Sequence, residues 1–186
     1  TNMSMIADGH TTIEHSLPVA NIYEDVLQFW RGSGTAYTPT LVVAYGGPFG
    51  ENYWYQNTEV WKEPILSRWV PRRILDARSR RRPMLPPEEH NMLSVSRLAG
   101  QINRLGVPVN VGAHGQREGL GAHWDMWSFA LGGMTPHQAL ATGTINPARA
   151  YGLDRDLADA PPGPLLQKPF SSTDLLNKVR QLLSVA

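Results

Sequence analysis

"VPVNVGAHGQREGLGAHWDMW", residues 107–127, opens as a short β-branched alternation and then changes character, with glycines at 112, 115, 119 and 121, histidines at 114 and 123, and Asp125. The first part, "VPVNVG" (107–112), reads as a strand. The continuation reads as a loop whose glycines let the backbone turn sharply and approach a ligand closely. Just before it, "PPEEHNMLSVSRLAGQINRLG" (86–106) has prolines at its head, acids in its first turn, apolar residues at helical spacing and a closing glycine. Those are the signals of a well-formed helix. Helix, strand and glycine-rich loop in that order form one half of a βαβ unit, and this decides the fold class.

The same plan recurs upstream. "TTIEH" (11–15) is a strand that stops at His15, followed by a helical pattern from Val19 to Trp30 that the glycines at 32 and 34 end. "TAYTPTLVVAYGG" (35–47) reads as a stronger strand opening into a long aromatic loop, "GGPFGENYWYQN" (46–57). Residues 59–82 look helical in pieces, interrupted by Pro64 and Pro71 and ending in the basic run "RSRRR". Helical turns are expected over Trp124–Leu131, Thr135–Gly143 and Asn146–Tyr151. Strands alternating with helices predict an α/β fold with a parallel sheet of about three strands and flanking helices.

Composition narrows the chemistry. The chain has 186 residues, 41% of them hydrophobic, enough for one sizeable core. Seventeen Lys and Arg against sixteen Asp and Glu give a net charge of +1, so no overall field recruits nucleic acid or an anionic membrane, and a small-molecule or neutral substrate fits better. There is no cysteine, so a metal would have to be held by His and carboxylate. No apolar run reaches the ~18–20 residues of a membrane span, and "TNMSMIADGH" lacks the order of a signal peptide, which predicts a soluble protein with the cytoplasm as default.

In parallel-sheet folds chemistry gathers at the carboxyl ends of strands. His15 ends the first strand and His114 lies just past the third, so parallel strands bring both to one rim. A single strand-end histidine is ordinarily a satisfied polar group. Two of them beside Glu14, His123 and Asp125 form a candidate metal site, with His15, His114 and His123 as ligands of zinc or manganese. Glu14, Glu118 or Asp125 could serve as the base, Glu14 equally as an acceptor that orients a histidine. The aromatics Tyr45, Phe49, Tyr53, Trp54 and Tyr55 either bind an apolar or aryl group of the substrate or pack in the core or an oligomer contact. His10, His90, His137 and the Arg72–Arg82 region read as solvent-facing.

Four segments, "DGHTTIEHS", "PTLVVAYGGPFGENYWYQ", "VPVNVGAHGQREGLGAHWDMW" and "GGMTPHQALATGTINPARAYGLD", resemble successive segments of metal-dependent amidohydrolases of the imidazolonepropionase-like branch. The resemblance runs to about Gly163. It implies a partial (β/α)8 barrel in which residues 11–15 correspond to the sixth strand and His15 to a metal-ligand position. It also implies that the ligands of the earlier strands are missing, and that His114 stands where many relatives carry a metal-binding Asp. A barrel piece of this size has open sheet edges, which predicts a homo-oligomer completed by edge pairing or helix cover.

After "DAPPG" (159–163) the pattern changes. "LLQKPFSSTDLLNKVRQLL" (165–183) resembles the last strand and helix of a response-regulator receiver domain, with Lys168 and Pro169 at the Lys-Pro pair. The receiver's acidic cluster is absent, so an amphipathic structural helix is expected there. The chain thus divides into residues 1–163, amidohydrolase-like, and 164–186, a receiver-like tail. Three functions remain open: a metal-dependent hydrolase of esters, amides or phosphotriesters, a metal-independent hydrolase, and a non-catalytic oligomeric fragment. The second lacks a G-x-S-x-G elbow, "GSG" at 32–34 being a linker.

Overall fold

The computed structural model describes residues 2–17, 19, 21–117 and 119–154. The chain divides into two units, Thr1–Leu153 and Asp154–Ala186. The boundary at 163, the receiver-like tail and Glu118 lie outside the described residues.

The first unit is mixed α/β, mostly helical, around a small parallel sheet. Strand β1 (Thr12–Glu14) pairs with β2 (Ala36–Thr38) so that Thr12 faces Ala36, Ile13 faces Tyr37 and Glu14 faces Thr38. The expected third strand is reduced to one parallel bridge between Tyr37 and Val109. There the Tyr37 N–H donates to the Pro108 carbonyl at 2.9 Å and the Asn110 N–H donates to the Tyr37 carbonyl at 2.8 Å. Pro108 has no N–H to add the next rung toward β2.

Ile13, Tyr37 and Val109 are fully buried side by side. Helix α2 (Glu24–Ser33) covers them with Leu27 and Trp30, and α6 (Asn91–Arg104) with Val95, Leu98, Ala99 and Ile102. Trp30 meets Tyr37 edge-on at 4.9 Å, and its indole N–H donates to the Thr35 carbonyl at 2.8 Å. The 86–106 pattern forms its helix only over Asn91–Arg104, and the proline and acidic residues Pro87–Glu89 make a separate 3-10 turn before it. The Val19–Trp30 pattern becomes helical only from Glu24. Helix α1 (Asn2–Ala7), which carried no sequence signal, adds Ile6 to the same core.

Two expectations fail for a common reason. "LVVA" forms no strand: Thr40 enters the left-handed region at φ 53 and Leu41–Val43 make a single 3-10 turn. The four residues are all buried, but in two directions. Leu41 and Ala44 join the core beneath the sheet, while Val42 and Val43 join a second cluster with Tyr55, Val60, Leu75 and Trp124. A turn can serve two cores from consecutive residues; a strand, alternating between opposite faces, serves each core at every second residue. The aromatic loop likewise becomes helix α3 (Gly50–Asn57), whose Tyr55 fills that second cluster.

Pro64 and Pro71 start helices rather than interrupt one. Pro64 is the first residue of α4 (Pro64–Trp69), where Glu63 accepts the Leu66 N–H at 2.6 Å, and Pro71 immediately precedes α5 (Arg72–Asp76). A helix start needs no N–H from its first residue. Helix α7 (Leu120–Leu131) begins inside the glycine-rich stretch, so only its first half is loop. Gly132, at the end of α7, lets α6 approach: a Cβ there would collide with the Ser96 carbonyl. Helix α8 (Pro136–Thr142) starts at a capping box between Thr135 and Gln138, and α9 (Ile145–Ala150) follows.

Candidate functional site

The carboxyl ends of the three parallel segments form one rim. β1 ends in Glu14 and His15, β2 in Thr38 and Thr40, and the bridge segment runs from Asn110 through Gly112 to His114. His15, Thr40 and His114 have φ of 67, 53 and 55. Side chains with a Cβ adopt that region at a cost of roughly 1 kcal/mol each, so this rim stores backbone strain, as functional sites often do.

The rings of His15 and His114 meet edge-on with centroids 5.2 Å apart, which is the convergence expected from the strand order. Nδ1 of His15 is buried and has no hydrogen-bond partner among the described residues. On the exposed His114, Nδ1 lies 3.1 Å from Oε1 of Gln116. A proton on Nδ1 donated to that amide oxygen would leave the Nε2 lone pair for a metal ion. The ring of Tyr45 stacks over His15 at 6.1 Å. Its backbone is fixed on both sides, the N–H donating to Ser16 Oγ at 3.1 Å and the carbonyl accepting from Asn91 Nδ2.

Glu14, which precedes His15 in the chain, is exposed. Its Oε1 accepts from Thr12 Oγ1 at 2.6 Å and from Thr38 Oγ1 at 3.2 Å, so two hydroxyls hold the carboxylate in place. Asn110 Oδ1, on the neighbouring segment, is buried and unpartnered among the described residues.

Asp125 differs from what the sequence suggested. It is fully buried beneath the rim, where Oδ1 accepts the Val42 N–H and Oδ2 the Gly112 N–H, each at 3.0 Å. Burial pushes its carboxyl up to about 6, against the opposing pull of the backbone N–H groups of Gly112, Val42, Leu41 and Ala113. With both oxygens turned into backbone, Asp125 is a positioning residue that ties the loops after β2 and after Val109 together. Gly112 makes the tie possible, since a Cβ there would collide with Oγ1 of Thr40.

His123 sits on the exposed side of α7, its ring 6.3 Å from Trp127. Helix geometry carries it there, where a glycine-rich turn was expected to carry it back to the rim. Among the described residues no group of three or more His, Asp or Glu could hold a metal ion together. Tyr53 and Trp54 are placed in the packing of α3: Trp54 Nε1 donates to Ser128 Oγ at 2.9 Å, and Tyr53 stands edge-on to Trp54 and to His90. His90, expected to face solvent, is only 2% exposed and holds Gln56 Oε1 at 3.2 Å through Nε2. Burial lowers the pKa of its imidazole from the ordinary value.

Gln116 and Thr38 went unnoticed in the sequence. Gln116 carried a weak signal, its place two residues after His114; Thr38 and the clamping role of Asp125 carried none. Compared with protein families, curated proteins and solved structures, the chain finds no match. No helix among the described residues is long and apolar enough to cross a membrane.

Proposed function

We propose that this protein is a metal-dependent hydrolase of amidohydrolase type, built on part of a (β/α)8 barrel, with His15 and His114 as ligands of zinc or manganese. The observation that carries the reading is the His15–His114 contact at the rim, with one ring nitrogen buried and unpartnered and the other ring oriented by Gln116. The likeness of four segments to amidohydrolases supports it. A divalent ion held there would supply Lewis acidity toward water and toward the carbonyl or phosphoryl oxygen of an ester, amide or phosphotriester. Glu14, fixed by Thr12 and Thr38, accepts the proton of the attacking water and passes it to the leaving group. Tyr45, stacked on His15, borders the substrate.

Two histidines fall short of the three protein ligands of an ordinary catalytic zinc site. Strand β1 pairs on one side only among the described residues, and a homo-oligomer formed along its free edge is part of the proposal. The test is metal content with hydrolysis of activated aryl esters and phosphotriesters, with and without chelator. The expected result is stoichiometric metal, loss of turnover on chelation, recovery on re-addition, and loss of both in His15→Ala and His114→Ala. Turnover indifferent to chelator overturns the reading. A second reading, a non-catalytic oligomeric unit, is favoured by the missing third ligand among the described residues, and absence of both metal and turnover would establish it. A stable monomer in light scattering at micromolar concentration removes the oligomer from either reading.

A further inference from the structure

The loop that carries His114 has a second side. Immediately after it, Gly115, Gln116 and Arg117 form one wall of a cleft of about 510 Å³, and the opposite wall brings Arg73, Arg78 and Tyr55 from α5, the turn after it, and α3. Among the described residues, none that lines the cleft is acidic. Gly115 follows His114 in the chain, about 3.8 Å away Cα to Cα, so the cleft begins at the edge of the histidine pair. Gln116 belongs to both, orienting His114 while lining the cleft.

The three guanidinium groups are not equally committed. Arg117 is structural: Nε donates to Tyr55 Oη at 2.9 Å, Nη1 to the Ile74 carbonyl at 2.6 Å and Nη2 to the Ala77 carbonyl at 2.9 Å. Five N–H donors less these three leave two for a ligand. Arg78 donates one bond to Glu51 at 2.7 Å, and Glu51 is a buried carboxylate that offsets one of the three charges. Arg73 is exposed at the cleft and has no hydrogen-bond or ion-pair partner among the described residues. A basic stretch is ordinarily a solvated face. Here its charges converge on a concave wall with unused forked donors, which match the geometry of carboxylate and phosphate oxygens.

We propose that the Arg73–Arg78–Arg117 cleft binds an oxyanion, a phosphoryl or carboxylate group, and that this group is the anionic end of the substrate whose scissile bond lies at His15 and His114. The near-zero net charge of the chain conceals this local cluster. The substrate assignment rests on the hydrolase reading, whereas anion binding by the cleft does not.

The test therefore uses the full chain, freed of metal by chelation and dialysis, titrated calorimetrically with inorganic phosphate and separately with succinate. One saturable site is expected for at least one of the two, weakened by raising the salt. Arg73→Gln should weaken it by about 10- to 100-fold, the loss of a charge-assisted hydrogen bond, with no change in unfolding midpoint, because Arg73 holds nothing else in place. Preference for phosphate assigns a phosphoryl substrate and preference for succinate a carboxylate one. No binding of either anion, or wild-type binding by Arg73→Gln, overturns the proposal. Anion binding by a protein whose histidine pair takes up no metal keeps the cleft and overturns the substrate assignment alone.

Discussion

Oδ2 of Asp125 accepts the backbone N–H of Gly112 at 3.0 Å. Through this bond a carboxylate that never meets solvent sets the position of the segment leading to His114. Its other oxygen holds Val42, so a single side chain of α7 closes the loops that follow two neighbouring parallel segments.

Removing that side chain leaves buried N–H groups without acceptors. Asp125→Ala should lower the unfolding free energy by roughly 3 kcal/mol or more, each orphaned donor costing about 1–3 kcal/mol. Urea denaturation measures it. A loss below about 1 kcal/mol would mean the loops hold themselves.

The same carboxyl makes stability depend on pH. Its folded pKa, pushed up to about 6, lies above the ordinary 3.8. Between those values the folded state binds more protons than the unfolded state, so this group's contribution falls as pH rises from about 4 to 6 and is constant above. The full change is roughly 3 kcal/mol. Asp125→Asn should flatten that part of the profile; denaturation curves of both proteins from pH 4 to 7 that stay parallel would count against it.

Gly112→Ala should cost about 1–3 kcal/mol, since the added methyl meets Thr40 Oγ1 and backbone that cannot move freely. Because the same segment leads to His114, metal affinity should fall with stability. Thermal unfolding and metal titration of one sample read both.

His114 separates strain from ligation. Glycine and alanine both remove the imidazole, but only glycine accepts φ 55 freely. His114→Gly should be about 1 kcal/mol more stable than His114→Ala, with metal content lost equally in both. Equal stabilities would show that the rim is unstrained there.

For Trp54, packing and substrate contact predict opposite results. Trp54→Phe removes the donor to Ser128 and should cost about 1 kcal/mol, leaving KM for aryl esters unchanged. A raised KM at unchanged stability would return Trp54 to the substrate site.

The apolar face of the helix Asn91–Arg104, the capped helix at Thr135 and the arrival of His15 and His114 at one rim were legible in the residues themselves. Each depends on local signals, such as apolar spacing, prolines, caps and the shared direction of parallel strands, which act within a few residues. Other features were settled by packing between distant segments. "LVVA" has strand composition yet turns because two cores compete for its side chains. His123 lies nine positions from His114, but α7 begins between them and carries it to an exposed face. Asp125 stands beside candidate ligands in the chain and spends its charge on a backbone N–H 83 residues away. Arg73, Arg78 and Arg117 share a cleft because α5 and the histidine loop meet in space. Local propensity acts over one helical turn or one strand, whereas burial and charge act on whatever the folded chain brings together, and no spacing in the sequence encodes that meeting.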